Sequence, residues 1–298
     1  MTSVNEYLTE EVVENYADGL IGRREALHQL TLLGVGAAIA VPMLAACDSG
    51  SQPAPTPAGS GGSAPAGPSP LPTVPITFAG PRVQLQGAWA KAADPRGSVL
   101  VVHENRGLTD HIRSVAGRLA ASGYSALAVD LLSEEGGTST FTDSAQATAA
   151  LNAAAGTAGR FIDDMKAGIT ELQRRAPATK VAAIGFCFGG AMVWSLLASG
   201  EPRLSAAAPF YGPLPDNADL AGSRNAAVLA VYGELDSRVN ASRDAAKAAL
   251  EQAGLEHEIV TYQGADHAFF NDTGQRYHAA AAAQAYEKLM DWFGRYLG

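Results

Sequence analysis

The chain has 298 residues, 47% of them hydrophobic and 17% charged, and carries a net charge of −9 at neutral pH. That length holds one large α/β domain or two small ones, with enough apolar residues for a sizeable core. The acidic balance and the lack of a Lys/Arg cluster argue against a nucleic-acid partner, which would need a basic stripe to meet phosphates.

Residues 1–22 contain Glu6, Glu10, Glu11, Glu14 and Asp18 and no basic residue. Arg23 and Arg24 then precede an uncharged apolar run over 30–46, which ends in Leu44-Ala45-Ala46-Cys47. Paired arginines before a moderately apolar stretch resemble a twin-arginine export signal, and the ending resembles a bacterial lipobox with Cys47 as the lipidated residue. The run is shorter than the roughly 20 residues of a spanning helix and is broken by Pro42 and two glycines, so 1–47 reads as a signal segment. Residues 48–75 are dense in Ser, Gly, Pro and Ala and read as a disordered tether. The remainder is then expected on the outer side of a bacterial cytoplasmic membrane, touching that membrane only through its lipid anchor.

Residues 76–298 alternate strand-like and helix-like segments, which predicts an α/β fold with a mostly parallel central sheet and helices on both faces. An alternating pattern over 83–89 reads as an edge strand. A buried strand follows at 98–103, then a helix at 110–121 and a strand at 124–130. After a loop at 131–145, a helical stretch runs to about 175. Strands are expected at 180–184, 206–211, 227–232 and 257–262, with helices following 191, over 240–253 and over 276–296.

The densest chemical signal is Gly185-Phe186-Cys187-Phe188-Gly189-Gly190, between the apolar run 180–184 and the apolar segment 191–198. A G-x-C-x-G pattern at a strand-turn-helix junction is the context of a nucleophile elbow. The glycines permit the tight turn, and the Phe188 backbone N–H at the helix start can face a developing oxyanion. The bland reading is a buried core cysteine. A thiol nucleophile needs a base and an acid that orients the base. Asp236 lies just past the strand at 227–232, where it reads either as that acid or as a helix N-cap. His267 lies on a loop after the strand at 257–262, with a Gly-rich approach and the aromatic pair Phe269-Phe270 behind it. Nucleophile, acid and histidine thus come in the chain order of an α/β-hydrolase.

Gly185 to Gly190, Gly233-Glu234-Leu235-Asp236 and Gly264-Ala265-Asp266-His267-Ala268-Phe269 together resemble the dienelactone hydrolase family of the α/β-hydrolase superfamily. The segments 101–108, 110–113 and 123–130 fit the same family, so the likeness spans roughly 76–298. The resemblance implies a Cys187-His267-Asp236 triad and a Glu104 that contacts the thiol and takes part in its activation. A carboxylate there can hold the thiol neutral and protect it from oxidation until substrate binds. The Asn105 N–H is the expected second oxyanion donor, and Arg106, Tyr211 and Phe269 are candidates for contact with substrate. Family members acting on dienelactone hold its carboxylate with arginines. This chain has no Arg or Lys between Arg118 and Arg160, and Asn271 stands four residues after His267, where one is expected. A guanidinium is not replaced by an amide, so a small ester or lactone is the expected substrate, cleaved through a thioester acyl-enzyme. No metal or nucleotide cofactor is expected: no ligand-spaced His/Cys cluster stands outside the triad, and no G-x-G-x-x-G opens the first βα unit. A thioesterase or peptidase on the same scaffold, and a non-catalytic lipid-anchored binding protein, are the alternatives.

Overall fold

A computed structural model describes residues 4–17, 20–48, 64–155, 157 and 159–298. Its core is an eight-stranded sheet of β1 (Val74–Ala79), β2 (Gln84–Ala90), β3 (Gly97–Val102), β4 (Tyr124–Asp130), β5 (Val181–Phe186), β6 (Leu204–Phe210), β7 (Ala227–Gly233) and β8 (His257–Tyr262). The spatial order is β1-β2-β4-β3-β5-β6-β7-β8, with the β1–β2 and β2–β4 pairings antiparallel and the other five parallel. β3, β4, β5 and β7 are buried along their whole length. That is the condition of parallel strands covered on both faces, and it explains why they read as unbroken apolar runs.

The sheet grows outward from β3 in both directions, through β4 on one side and β5 on the other. The ends of β3 and β5 therefore flank the point where the winding reverses, and the crevice beyond such a point is where open α/β sheets hold ligands. The helix α4 (Asp110–Ala121) follows β3, and α5 (Ser144–Ala155) and α6 (Arg160–Arg175) lead into β5. The elbow helix α7 (Phe188–Ala198) comes next, then the single turn α8 (Ser237–Asn240), α9 (Arg243–Ala253) and the closing α10 (Ala279–Tyr296). α7 is apolar on every side because it is buried on every side.

Three sequence expectations change. The strand at 83–89 is not at the edge: β1 pairs outside it, and the expected tether ran through the start of β1. Residues 64–75, read as part of that tether, lie against the domain. The reason is Arg118, whose side chain is fully buried. Its guanidinium needs acceptors, and Nη1 donates to the Ala66 carbonyl at 2.8 Å. Tyr277 donates to the Ala64 carbonyl at 2.8 Å, and the Leu71 N–H to Gly117 at 3.1 Å. The rest of the tether up to residue 63 lies outside the described residues.

The third change concerns the leader. Residues Val4–Ala17, Arg23–Leu32 and Ala37–Asp48 form three helices that pack on one another, the first two also on α5. They bury Leu8, Val12, Ala26, Leu30, Ala40 and Leu44 in a core continuous with that of the sheet domain, and leave Leu32, Ile39 and Val41 exposed. Among the described residues no helix is long and apolar enough to cross a membrane. The backbone of Cys47 falls in the last turn of the third helix.

Candidate active site

β5 delivers Cys187 into a turn with φ +56° and ψ −119°, a conformation that a residue with a side chain adopts only under strain. Two glycines make the turn possible. A Cβ on Gly185 would stand 2.1 Å from the Gly189 carbonyl oxygen, and one on Gly189 would stand 2.4 Å from the Val102 carbonyl oxygen. Neither contact is physically available, so the first turn of α7 meets the end of β3 backbone to backbone. That closeness brings the Phe188 turn beside the turn at Glu104 and Asn105. Phe188 opens α7, where amides have no intrahelical acceptor, which leaves its N–H available to an oxyanion.

Asp236 sits past the end of β7 with no exposed surface and uses its two carboxylate oxygens separately. Oδ1 accepts the Val239 N–H at 3.1 Å, capping α8, and Oδ2 accepts from His267 Nδ1 at 2.7 Å. Asp236 thus caps α8 and also makes the contact to His267 that the acid reading requires. His267 is almost fully buried, its Nε2 has no hydrogen-bond partner, and a ring nitrogen lies within 4.8 Å of the Cys187 sulfur. Burial opposes the imidazolium, but the Asp236 carboxylate outweighs it and raises the proton affinity of His267 well above the ordinary value. For Asp236 burial likewise works against the charge, and His267 outweighs it, so the carboxyl is held below its usual range.

Glu104, expected at the thiol, is held by Asn271. Its Oε2 accepts from Asn271 Nδ2 at 2.7 Å, Oε1 has no hydrogen-bond partner among the described residues, and the group is buried. Burial first, and the nearby charge of Glu11, push its pKa up. The residue that contacts sulfur is Glu11, from the first leader helix: the Cys187 thiol donates to Glu11 Oε2 at 3.4 Å, and Asn105 Nδ2 donates to Glu11 Oε1 at 2.8 Å. Burial, then the charge of Glu11, push the thiol up, so at rest the sulfur carries its proton. Among the described residues, Glu11, Cys187 and His267 are the only His/Cys/carboxylate group close enough to share an ion, and a thiolate with an imidazole and a carboxylate is a zinc-type donor set.

Two positioning groups carry no motif in the sequence. His103 is fully buried and accepts the Leu131 N–H on Nε2 at 3.1 Å, which places its proton on Nδ1, 2.6 Å from the Glu104 carbonyl oxygen. It thereby ties the end of β3 to the end of β4 and fixes the turn that bears Glu104. Asn271 is held in turn by the Thr273 N–H and hydroxyl on its Oδ1. Replacing Asn271 by alanine would leave neither Glu104 oxygen bonded, and the expected loss is about 1–3 kcal/mol of stability, read by urea unfolding.

The candidate substrate contacts fare differently. Phe269 is fully buried, packed on Tyr211 and Tyr262 with ring centroids 5.6 and 5.5 Å away, because Ala268 at φ +59° turns the chain inward. It is a core residue that anchors the histidine loop, as Phe270 is against Phe186 and Phe210. Tyr211 is also fully buried, and its ring edge supports His267 at 5.4 Å. Arg106 is exposed and acts on the site only at range, its charge drawing the Glu104 pKa down.

A strained thiol at a strand-helix elbow, with an acid and a histidine from the next strand ends, defines a carboxylic ester hydrolase of the α/β-hydrolase fold. The sequence profile of the dienelactone hydrolase family matches residues 85–297, and the chain belongs to that family. An Escherichia coli O157:H7 protein named "Putative carboxymethylenebutenolidase" is 32% identical over 234 residues, covering 75% of this chain and 86% of its own. The crystal structure of a "Putative Dienelactone Hydrolase" from Klebsiella pneumoniae superposes with a TM-score of 0.66 at 28% identity, over 75% of this chain and 98% of its own. A dienelactone hydrolase-like promiscuous phosphotriesterase from metagenomic libraries gives 0.67 at 27% identity, over 76% and 98%.

Proposed function

We propose that this hydrolase cleaves a small, neutral ester or lactone with Cys187 as nucleophile, His267 as base and Asp236 as the group that orients it. The observation that carries the reading is His267, bonded through Nδ1 to Asp236 and presenting a buried, unpartnered Nε2 near a sulfur on a strained elbow. His267 takes the thiol proton as sulfur attacks the carbonyl carbon, and the oxyanion is met by the Phe188 and Asn105 amides. The C–O bond then breaks, the alkoxide leaves with the proton from His267, and a thioester remains on Cys187. His267 next takes a proton from water, whose oxygen attacks the thioester and releases the acid and the thiol. A neutral substrate is favoured because the position four residues after His267 is Asn271, an amide committed to Glu104, and Arg106 is exposed.

Arg23-Arg24 and the ending at Cys47 support a second element of the proposal, that the domain is exported and held to a membrane by lipid. The family profile spans 85–297, and the solved relatives match over nearly their whole length on about three quarters of this chain, which supports a chain beginning at residue 64 that folds on its own. Mass spectrometry of that unit after exposure to a panel of activated esters and lactones should find the acyl group on Cys187. Acylation confined to other residues, with the Cys187 thiol still open to alkylation, would sink the nucleophile assignment.

A further inference from the structure

Cys187 is 3% exposed and His267 1%. Part of their cover is α1 (Val4–Ala17), the first helix of the leader. Glu11 enters the crevice between Cys187 and Asn105, where the side-chain amide of the oxyanion turn and the thiol both donate to its carboxylate. Two further side chains of α1 are held by the loops that carry the acid and the base. Glu14 Oε2 pairs with Arg238 Nε at 3.1 Å, two residues after Asp236, and Asn15 Oδ1 accepts from Arg276 Nη1 at 3.0 Å. Leu8 and Val12, one turn apart, are buried with them, so α1 presents one mixed face to the site. The second leader helix, α2 (Arg23–Leu32), and the third, α3 (Ala37–Asp48), back it with Ala26, Leu30, Ala40 and Leu44. Beside the elbow a cavity of about 930 Å³ is walled by Phe188, Met192 and Leu214 of the domain and by Val13 and Met43 of the leader.

We propose that residues 4–48 are an intramolecular inhibitor: α1 lays the Glu11 carboxylate where an ester group has to bind, and the hydrolase is latent until that segment is removed or withdrawn. The proposal rests on Cys187 being the reacting group, as argued above. Two features make α1 an occupant of the site and not a chance neighbour. Its Glu11 carboxylate accepts from both the thiol and the Asn105 side-chain amide, and its flanking polar residues are held by the loops of the other two site residues. Arg23 and Arg24 open α2, within this segment, and are exposed. Export with removal of the leader would then coincide with activation, and the enzyme would not act on esters in the compartment where it is made.

The test compares three proteins: the full chain, the full chain with Leu8→Asp, and the chain beginning at residue 64. Leu8 has no exposed surface, so a carboxylate there expels α1 while leaving the hydrolase domain untouched. Iodoacetamide labelling of the peptide that contains Cys187, followed by mass spectrometry, reads access to the sulfur without needing turnover. The full chain should label roughly tenfold or more slowly than the other two, as expected when the open form is a minor population. Hydrolysis of a short p-nitrophenyl ester should follow the same order. Equal labelling rates in the full chain and the shortened one overturn the proposal. Unequal labelling with no hydrolysis by any of the three would uphold the occlusion and remove the hydrolytic reading instead.

Discussion

Replacing Cys187 by alanine in the chain that begins at residue 64 is expected to lower hydrolysis of a short activated ester roughly 10³-fold or more. The change removes the only atom at the elbow able to form a covalent acyl bond. The side chain is small, and the Glu11 carboxylate to which its thiol donates is absent from that shortened protein. The melting temperature should therefore stay close to that of the parent, and that pairing of outcomes is the check. A parallel loss of stability would mean that Cys187 is chiefly a packing residue, the bland reading of its sequence context. Any activity left over would come from binding and from the oxyanion amides, which the substitution spares.

The second large effect belongs to Asp236, where the two carboxylate oxygens have separate tasks that substitution can separate. Asp236→Asn keeps an acceptor for the Val239 N–H, and asparagine caps helices about as well as aspartate, so α8 and the overall stability should be retained. It loses the negative charge that fixes the His267 tautomer, and kcat should fall by about 10²–10⁴. Asp236→Ala should show the same kinetic loss together with about 1 kcal/mol of lost capping, read by denaturant unfolding. The pH dependence has a definite sign. Asp236 is held below its ordinary pKa, so its contribution to stability is complete above about pH 4 and is lost as the pH falls through the depressed value. In Asp236→Asn that acidic limb should be missing from the stability curve, while the limb from other carboxylates remains.

The same residue shows how sequence and structure divide the problem. Local pattern identified Asp236 twice, as a cap and as an acid, because each role leaves its own trace: a position after a strand, and a position before a helical turn. Choosing between them was unnecessary, since a carboxylate has two oxygens and the tertiary fold brings a donor to each. The parallel strands were legible for a similar reason. Burial on both faces turns them into continuous apolar runs, and each run ends where chemistry begins, at Glu104, Cys187, Asp236 and near His267.

What stayed hidden needed a partner that is remote in the chain. Phe269 looked like a pocket residue because it follows His267 so closely, yet Ala268 at positive φ sends its ring into the core. β1 was masked by the prolines and glycines before it, and its place depends on β2 offering a free edge. Asn271 looked like the absence of an arginine, whereas folding makes it the donor that holds Glu104. Glu11 is the clearest case. The sequence reads 1–47 as a signal segment, and nothing in the acidic residues of its first part names a surface for them to cover. The sequence by itself determined the α/β class, the placing of Cys187, Asp236 and His267 each after a strand, and the family, since all of these are written in local periodicity and short motifs. Only the tertiary structure decided which carboxylate meets the sulfur, because a contact across 176 positions is fixed by shape and charge complementarity between elements that no local pattern relates.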